Sequence, residues 1–414
     1  MATTFTSEPG SLVYPAGQRL MYAMTTTETI VSDFRYVITV MENNSVEIGK
    51  FYLTPNVNDV AFFDLSQVLE GRFSPDLVDN TGGEIWEGTT ILTKSLYSNR
   101  GYQVRLAYFT AGVESATTDT SDIHLINGYL QQRLGLNPGF TDYYPSSSSR
   151  KGWLVDKEDG PSNIDYKMRA EDSATFAFIF NDIVSTALNI KFQIFKASGL
   201  HATHVYDISI ANGAHSPLTS AMGNGKLICY VNAGPVNLAN HAVNPLVSDW
   251  TKYVITIAAG PAYYFARCKT LTITRDCSSP KTEPTQMTFS NSVSGYDYIR
   301  WDGRRKQTLN KQDKSYRKVQ GTWGSSTFTV EPTGSDTEVF QKEVTENYVL
   351  NGLMSAADFT LLSSAFKSRH VFLKIDGYWL PCKIKEGSMT LQNEPMSKLT
   401  SVTVTAEITQ AVRC

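Results

Sequence analysis

Asp156, Glu158 and Asp159 crowd into one short stretch beside Trp153, and two carboxylates next to an aromatic platform are the working parts of a glycosidase. Acidic side chains in a polar stretch are far more often solvated, so a hydrated loop is the preferred reading. His201 and His204 stand three residues apart, close enough for two metal ligands on a turn. On an extended strand such residues face opposite sides, and a third ligand is missing nearby, which favours packing or capping over a metal centre. The chain contains no GxxxxGK[ST], HExxH or GxSxG motif and no GxGxxG between a strand and a helix. It is therefore read as a non-enzyme, with no catalytic residue, no metal and no cofactor. Its five cysteines, Cys229, Cys268, Cys277, Cys382 and Cys414, form no CxxC pair and are expected to be scattered free thiols.

The strongest charge feature runs from Arg300 to Lys318. Eight bases (Arg300, Arg304, Arg305, Lys306, Lys311, Lys314, Arg317, Lys318) meet two acids (Asp302, Asp313) there, a local charge of +6. Tyr298, Trp301 and Tyr316 are interleaved, a mixture that also suits single-stranded nucleic acid. Two facts weigh against that ligand. The whole chain carries a net charge of −3, and Glu331 to Asn347 follows with five acids (Glu331, Asp336, Glu338, Glu343, Glu346) against Lys342, a local −4 that cancels the attraction. A solvated strand face, with the two segments paired as neighbouring strands of one copy, is the alternative; protein contact is the preferred use of both segments. Arg300, Arg304, Arg305 and Lys306 of one copy are expected to face Glu338, Glu343 and Glu346 of the next, with no nucleic acid as partner.

Strands have to position these residues. The 414 residues are 41% hydrophobic and 11% aromatic but only 19% charged, which is the composition of a β-protein with room for two to three domains. Phe34, Tyr36, Ile38 and Val40 alternate with Arg35, Val37 and Thr39, predicting a strand with one buried face. A turn at Glu42 to Ser45 joins it to a second strand, Val46 to Leu53. Asp64 to Gln67 reads as one capped helical turn closed by Gly71, and Phe109 to Asp122, poor in large apolar groups, reads as a linker. Short strands then recur at His124 to Gln131, Thr175 to Phe180, Asn189 to Phe195, Lys226 to Asn232, Tyr253 to Ala258 and Thr270 to Thr274, the spacing of a sandwich or jelly roll.

Past Pro280 to Pro284 come strands at Tyr296 to Trp301 and Thr327 to Val330, then one helix. Ser355 and Asp358 supply its capping box, and Phe359, Leu362 and Phe366 its buried face. Val371 to Ile375, an Asp376-Gly377 turn, Trp379 to Ile384 and Leu399 to Ile408 complete the set. The expected fold is mainly β: an N-terminal β-sandwich domain (1–110), a central sandwich or jelly-roll-like domain (123–280), and a C-terminal β-domain with one α-helix (285–414) that serves oligomerisation. No apolar run approaches the ~20 residues of a membrane span, and the opening residues lack the pattern of a signal peptide.

In their order these blocks resemble the β-rich structural proteins of tailed bacteriophages, in particular tail and tail-hub proteins. The resemblance is carried by the hairpin Phe34 to Leu53 with Phe62-Phe63-Asp64-Leu65-Ser66, by Leu125 to Gln131, by Phe289 to Asp297, and by the closing blocks. Those blocks, the helix Ser355 to Lys367, the strand Val371 to Ile375 and the ending Leu399 to Ala411, are similar to the β-domain through which distal-tail-type proteins form rings. The resemblance implies a virion structural protein, a tail or tail-hub/connector-associated component assembled in the host bacterial cytoplasm. Its partners would be copies of itself, as a symmetric oligomer, and other virion structural proteins; no catalytic residue is implied.

Independently, a surplus of Tyr, Phe and Trp over charge suits surfaces buried against neighbours. The alternative reading is a carbohydrate-binding or receptor-binding adhesion module that recognises a host surface glycan through exposed rings at Tyr143, Tyr144 and Trp153.

Overall fold

A computed structural model describes the chain except for residues 1–2, 10–12, 18, 28–29, 44, 70, 78–84, 89, 96–98, 121–122, 128–142, 144–150, 158–162, 181–187, 209–226, 244, 260–264, 267, 279–283, 318–320, 331–336, 386–399 and 414. It divides into two compact units: unit 1 comprises residues 1–277 and 290–297, and unit 2 comprises residues 278–289 and 298–414. The architecture is mainly β, as the composition requires.

Unit 1 opens with β1 (Thr3–Ser7), β2 (Val13–Pro15), β3 (Met21–Thr26), β4 (Arg35–Glu42), β5 (Val46–Leu53), β6 (Ala61–Asp64) and the short helix α1 (Leu65–Leu69). It continues through β7 (Leu92–Lys94), β8 (Asn99–Thr110), β9 (Val113–Glu114), β10 (Thr118–Asp119) and β11 (Ile123–Ile126). One sheet has the order β1-β3-β6 and another β2-β11-β8-β4-β5. Alternation along β4 sends Tyr36, Ile38 and Val40 into a core shared with Tyr22 and Met24 of β3, Phe63 of β6, and Val104 and Leu106 of β8, the cross-section of a sandwich. The β4–β5 turn lies where Asn43 was expected to supply it, with Asn43 at φ +48°.

Over its described residues, the expected linker at 109–122 is instead edge structure. Strands β9 and β10 both fold back onto β8, and β11 pairs antiparallel with β8 and parallel with β2. Thr120 shows why small polar residues serve there: its hydroxyl accepts from the Val104 N–H at 3.0 Å while its own N–H donates to the Val104 carbonyl at 2.9 Å. The domain boundary expected between 110 and 123 therefore falls inside unit 1.

The unit continues with β12 (Asn163–Met168), β13 (Thr175–Phe180), β14 (Leu188–Lys196), β15 (Gly199–Asp207), β16 (Leu227–Asn232), α2 (Pro235–Asn240), β17 (Lys252–Ala259), β18 (Phe265–Ala266) and β19 (Thr270–Arg275). One sheet runs β12-β19-β17-β14-β15 and a second β13-β16-β7. The Tyr166 ring of β12 and the Phe176 ring of β13 stand 5.1 Å apart. β7 also crosses the expected boundary, since Leu92 pairs with Val231 of β16. Strand β13, TFAFIF, is buried at every residue, which explains its near-continuous apolar sequence.

The remaining elements are β20 (Thr285–Ser290), β21 (Tyr296–Trp301), β22 (Lys306–Arg317), β23 (Thr322–Trp323), β24 (Phe328–Thr329), β25 (Thr337–Met354), α3 (Ala356–Lys367), β26 (Val371–Ile375), β27 (Tyr378–Ile384) and β28 (Thr400–Arg413). The sheet of unit 2 has the order β21-β20-β26-β27-β28-β25-β22. Helix α3 starts at the expected capping box: the Asp358 N–H donates to the Ser355 hydroxyl, and the Asp358 carboxylate accepts from the Ser355 N–H. Its buried face is centred on Leu361, Leu362 and Ala365, so Phe359 and Phe366, expected in the core, flank it half-buried. Asp376 at φ +51° and Gly377 at φ +87° make the β26–β27 turn, the paired left-handed geometry that an Asp-Gly hairpin favours.

Candidate functional site

Asp156 is the member of the expected acidic cluster that the structure places in a built environment; Glu158 and Asp159 lie outside the described residues. Its carboxylate accepts from the Ser292 N–H at 3.1 Å and the Ser292 hydroxyl at 2.6 Å. Its own N–H donates to the Asp297 carboxylate at 2.8 Å. Asp297 is fully buried and accepts two more bonds, from the Tyr166 hydroxyl and from the Asn291 side-chain amide at 2.9 Å. That amide also donates to the Leu154 carbonyl at 2.8 Å.

Burial first, and then the neighbouring Asp156 charge, push the Asp297 pKa up to about 6, while the bonds from Tyr166, the Asp156 N–H and Asn291 pull against the rise. Desolvation wins because a buried carboxylate loses more hydration than three donors replace. The two carboxylates that share a site are thus Asp156 and Asp297, and both Asp156 oxygens are bonded to the chain's own Ser292. A general acid must touch the bond it protonates, and the Asp297 carboxyl is sealed from solvent. The pair therefore holds structure.

The aromatic platform is corrected by burial. Trp153 is 0% exposed, its indole N–H donates to the Lys269 carbonyl at 2.9 Å, and its ring meets Phe178 edge-on at 6.1 Å. Tyr143 is 8% exposed, with the Lys151 ammonium 5.5 Å from its ring centroid. Neither offers the open ring face that a sugar stacks on, because both rings are spent on the interior of unit 1. Tyr144 lies outside the described residues.

His204 pairs with Phe192 across β14–β15, and His201 sits at the irregularity where the register shifts between Ile194 and Phe195. Among the described residues, no group of three or more His, Cys, Asp or Glu is placed to hold a metal ion. Cys229, Cys268, Cys277 and Cys382 are free thiols, and burial pushes the Cys268 thiol up to about 12.

The basic and acidic segments expected to meet across copies are neighbouring strands of a single chain. β22 pairs antiparallel with β25, which sets Leu309 opposite Glu346, Gln312 opposite Glu343 and Tyr316 opposite Glu338. Within the chain β25 is paired with β22 on one side and β28 on the other. The side chains of Glu338 and Glu343, together with Lys318, Glu331 and Asp336, lie outside what is described. The Glu346 carboxylate accepts from the Gln307 side chain.

Among the bases, Arg300 Nε contacts Asp302 at 2.8 Å. Arg305 reaches Asp376 at 3.6 Å and lies 5.8 Å from the Tyr348 ring centroid, and the Arg304 carbonyl accepts from the Asn351 amide at 2.8 Å. Lys306 opens β22, and all twelve residues of that strand are exposed. Sequence reasoning offered a solvated strand face here only as the less favoured use, because a strand exposed on both faces carries no alternation to find.

No family model matches the chain, and no curated protein matches it. Among solved structures, one described as Sidekick-1 immunoglobulin domains 1-4 aligns with 83% of this chain and 69% of its own, at 9% identity and a TM-score of 0.17, too low to carry an argument.

Proposed function

We propose that this chain is a virion structural protein of a tailed bacteriophage, a tail or tail-hub/connector-associated subunit that assembles as a symmetric oligomer with copies of itself. The observation that supports assembly is β22. It is the terminal strand of its sheet, twelve residues long and exposed throughout, and at ~3.3 Å per residue its outer edge runs for about 40 Å. Such an edge is a template for a further strand unless it is blunted. Lys306, Lys311, Lys314 and Arg317 against Asp313 repel a second copy of the same strand while admitting one of opposite charge. A contact between unlike surfaces is the kind that closes rings. The order of β-blocks that resembles phage tail proteins supplies the biological setting.

The test is the mass of the purified full chain by sedimentation velocity and native mass spectrometry, followed by imaging of particles that contain it. A closed oligomer of defined copy number supports the reading. A chain that stays monomeric at all accessible concentrations and is missing from such particles overturns it.

A further inference from the structure

Residues 290–297, the turn of the β20–β21 hairpin, are almost fully enclosed in unit 1: Asn291, Val293, Ser294, Tyr296 and Asp297 are all buried. Asn291 builds the turn. Its N–H donates to the Gly295 carbonyl at 3.0 Å, and its side-chain oxygen accepts from the Val293 N–H at 3.1 Å and the Gly295 N–H at 2.7 Å. Ser294 is held at φ +70°, a left-handed conformation that strains a non-glycine residue and persists only where surroundings enforce it. Tyr296 donates its hydroxyl to the Asp76 carbonyl and sets its ring 5.5 Å from Trp86 and 6.1 Å from Tyr230.

We propose that this turn is an acid-tightened latch, held in unit 1 more firmly when the Asp297 carboxyl is protonated and more loosely when it is ionised. The geometry places one carboxylate, Asp297, out of reach of water and a second, Asp156, on the adjoining segment. When both are ionised, two like charges share the site.

On the segment that carries Asp156, the Lys157 ammonium donates to the Asp165 carbonyl and lies 4.7 Å from the Tyr166 ring centroid. On β12, Tyr166 donates to Asp297, and the neighbouring Asp165 is exposed. Behind Tyr296, the Asp76 carboxylate accepts from Ser95 and Tyr230 at 2.7 Å each. Opening the turn returns Asp297 to water and to its ordinary value of 3.8, while the closed form titrates near 6. The closed form therefore binds the proton more tightly, and the opening equilibrium rises by up to about 100-fold as pH climbs between those values.

The experiment is hydrogen–deuterium exchange on the full chain at about pH 5 and about pH 7.5, corrected for intrinsic exchange and read on peptides covering 290–297. Faster opening at the higher pH is expected, by ten-fold or more. Asp297→Asn, an uncharged isostere, should abolish that dependence, and Asp156→Asn should shrink it. Should Asp297→Asn not fold, the Asp297 carboxyl carbon is followed by NMR in the native chain, with a midpoint near 6 expected. Opening that does not change with pH, a dependence that survives intact in Asp297→Asn, or a carboxyl midpoint near the ordinary value each overturns the latch.

Discussion

The N–H of Asp156 donates to the carboxylate of Asp297, 141 residues further along the chain, at 2.8 Å. This contact fixes which acids share an environment in unit 1. The cluster Asp156, Glu158, Asp159 is visible in the sequence, but the acid that matters to Asp156 is remote and sits in a Ser- and Gly-rich turn. Burial, not proximity along the chain, perturbs Asp297.

The first prediction concerns stability against pH. Unfolded, Asp297 titrates near 3.8, and folded near 6. Between these values the folded chain holds the extra proton, so this group's favourable contribution is complete below about pH 4 and is lost as pH rises through 6. Wild-type stability relative to Asp297→Asn should fall by up to about 3 kcal/mol across that window. Denaturant melts of both chains at a series of pH values check it, and taking the difference cancels the remaining carboxylates. A difference that stays flat, or grows with pH, counts against it.

Gly295 passes so close to its neighbour that an added Cβ would stand 1.9 Å from the Leu154 carbonyl oxygen. Because the obstacle is backbone, no side-chain rotation relieves it. Gly295→Ala should cost about 1–3 kcal/mol through displacement of the turn, and it should raise exchange at residues 290–297 at every pH. Unchanged stability would mean that the Leu154 segment yields freely.

Helix α3 tests which residues form its core face. Leu362 is fully buried, and Leu362→Ala should cost about 2–5 kcal/mol. Phe366 is only partly buried, so Phe366→Ala should cost less despite removing more atoms. Denaturant melts of both variants decide, and the reverse ranking would move the face.

These cases mark where the sequence was readable. The β4–β5 hairpin, the Ser355 capping box and the Asp376-Gly377 turn are local chemistry: alternation, a side-chain cap and two residues that tolerate positive φ. Pairings across long separations leave no such trace. Nothing near Leu92 announces that β7 joins β16, and nothing in the Thr- and Ser-rich stretch after Phe109 distinguishes edge strands from a linker. Trp153 misled for a related reason, since a tryptophan beside acids looks like a surface platform until the partner of its indole N–H, the Lys269 carbonyl, is seen.

The last prediction concerns the open edge of β22. Lys306, Lys311 and Lys314 lie on a strand exposed along its whole length, and the ion pair to be lost among the described residues, Lys311 with Asp313 at 2.7 Å, is exposed, where such pairs are worth ~0–1 kcal/mol. Replacing all three by Glu should therefore leave the melting of the isolated chain nearly unchanged, since surface substitutions of this kind typically stay within about 0.5 kcal/mol each. Assembly should behave differently. If a strand of opposite charge docks on this edge, reversing three charges repels it, and the oligomer should dissociate at concentrations where the wild type is fully assembled. Added salt should weaken the wild-type contact and partly rescue the variant, because screening acts on attraction and repulsion alike. Sedimentation velocity at low and high salt, with a melt on the same samples, separates these effects. An oligomer that survives charge reversal at low salt shows that β22 does not carry the contact, and copies must then meet through another surface.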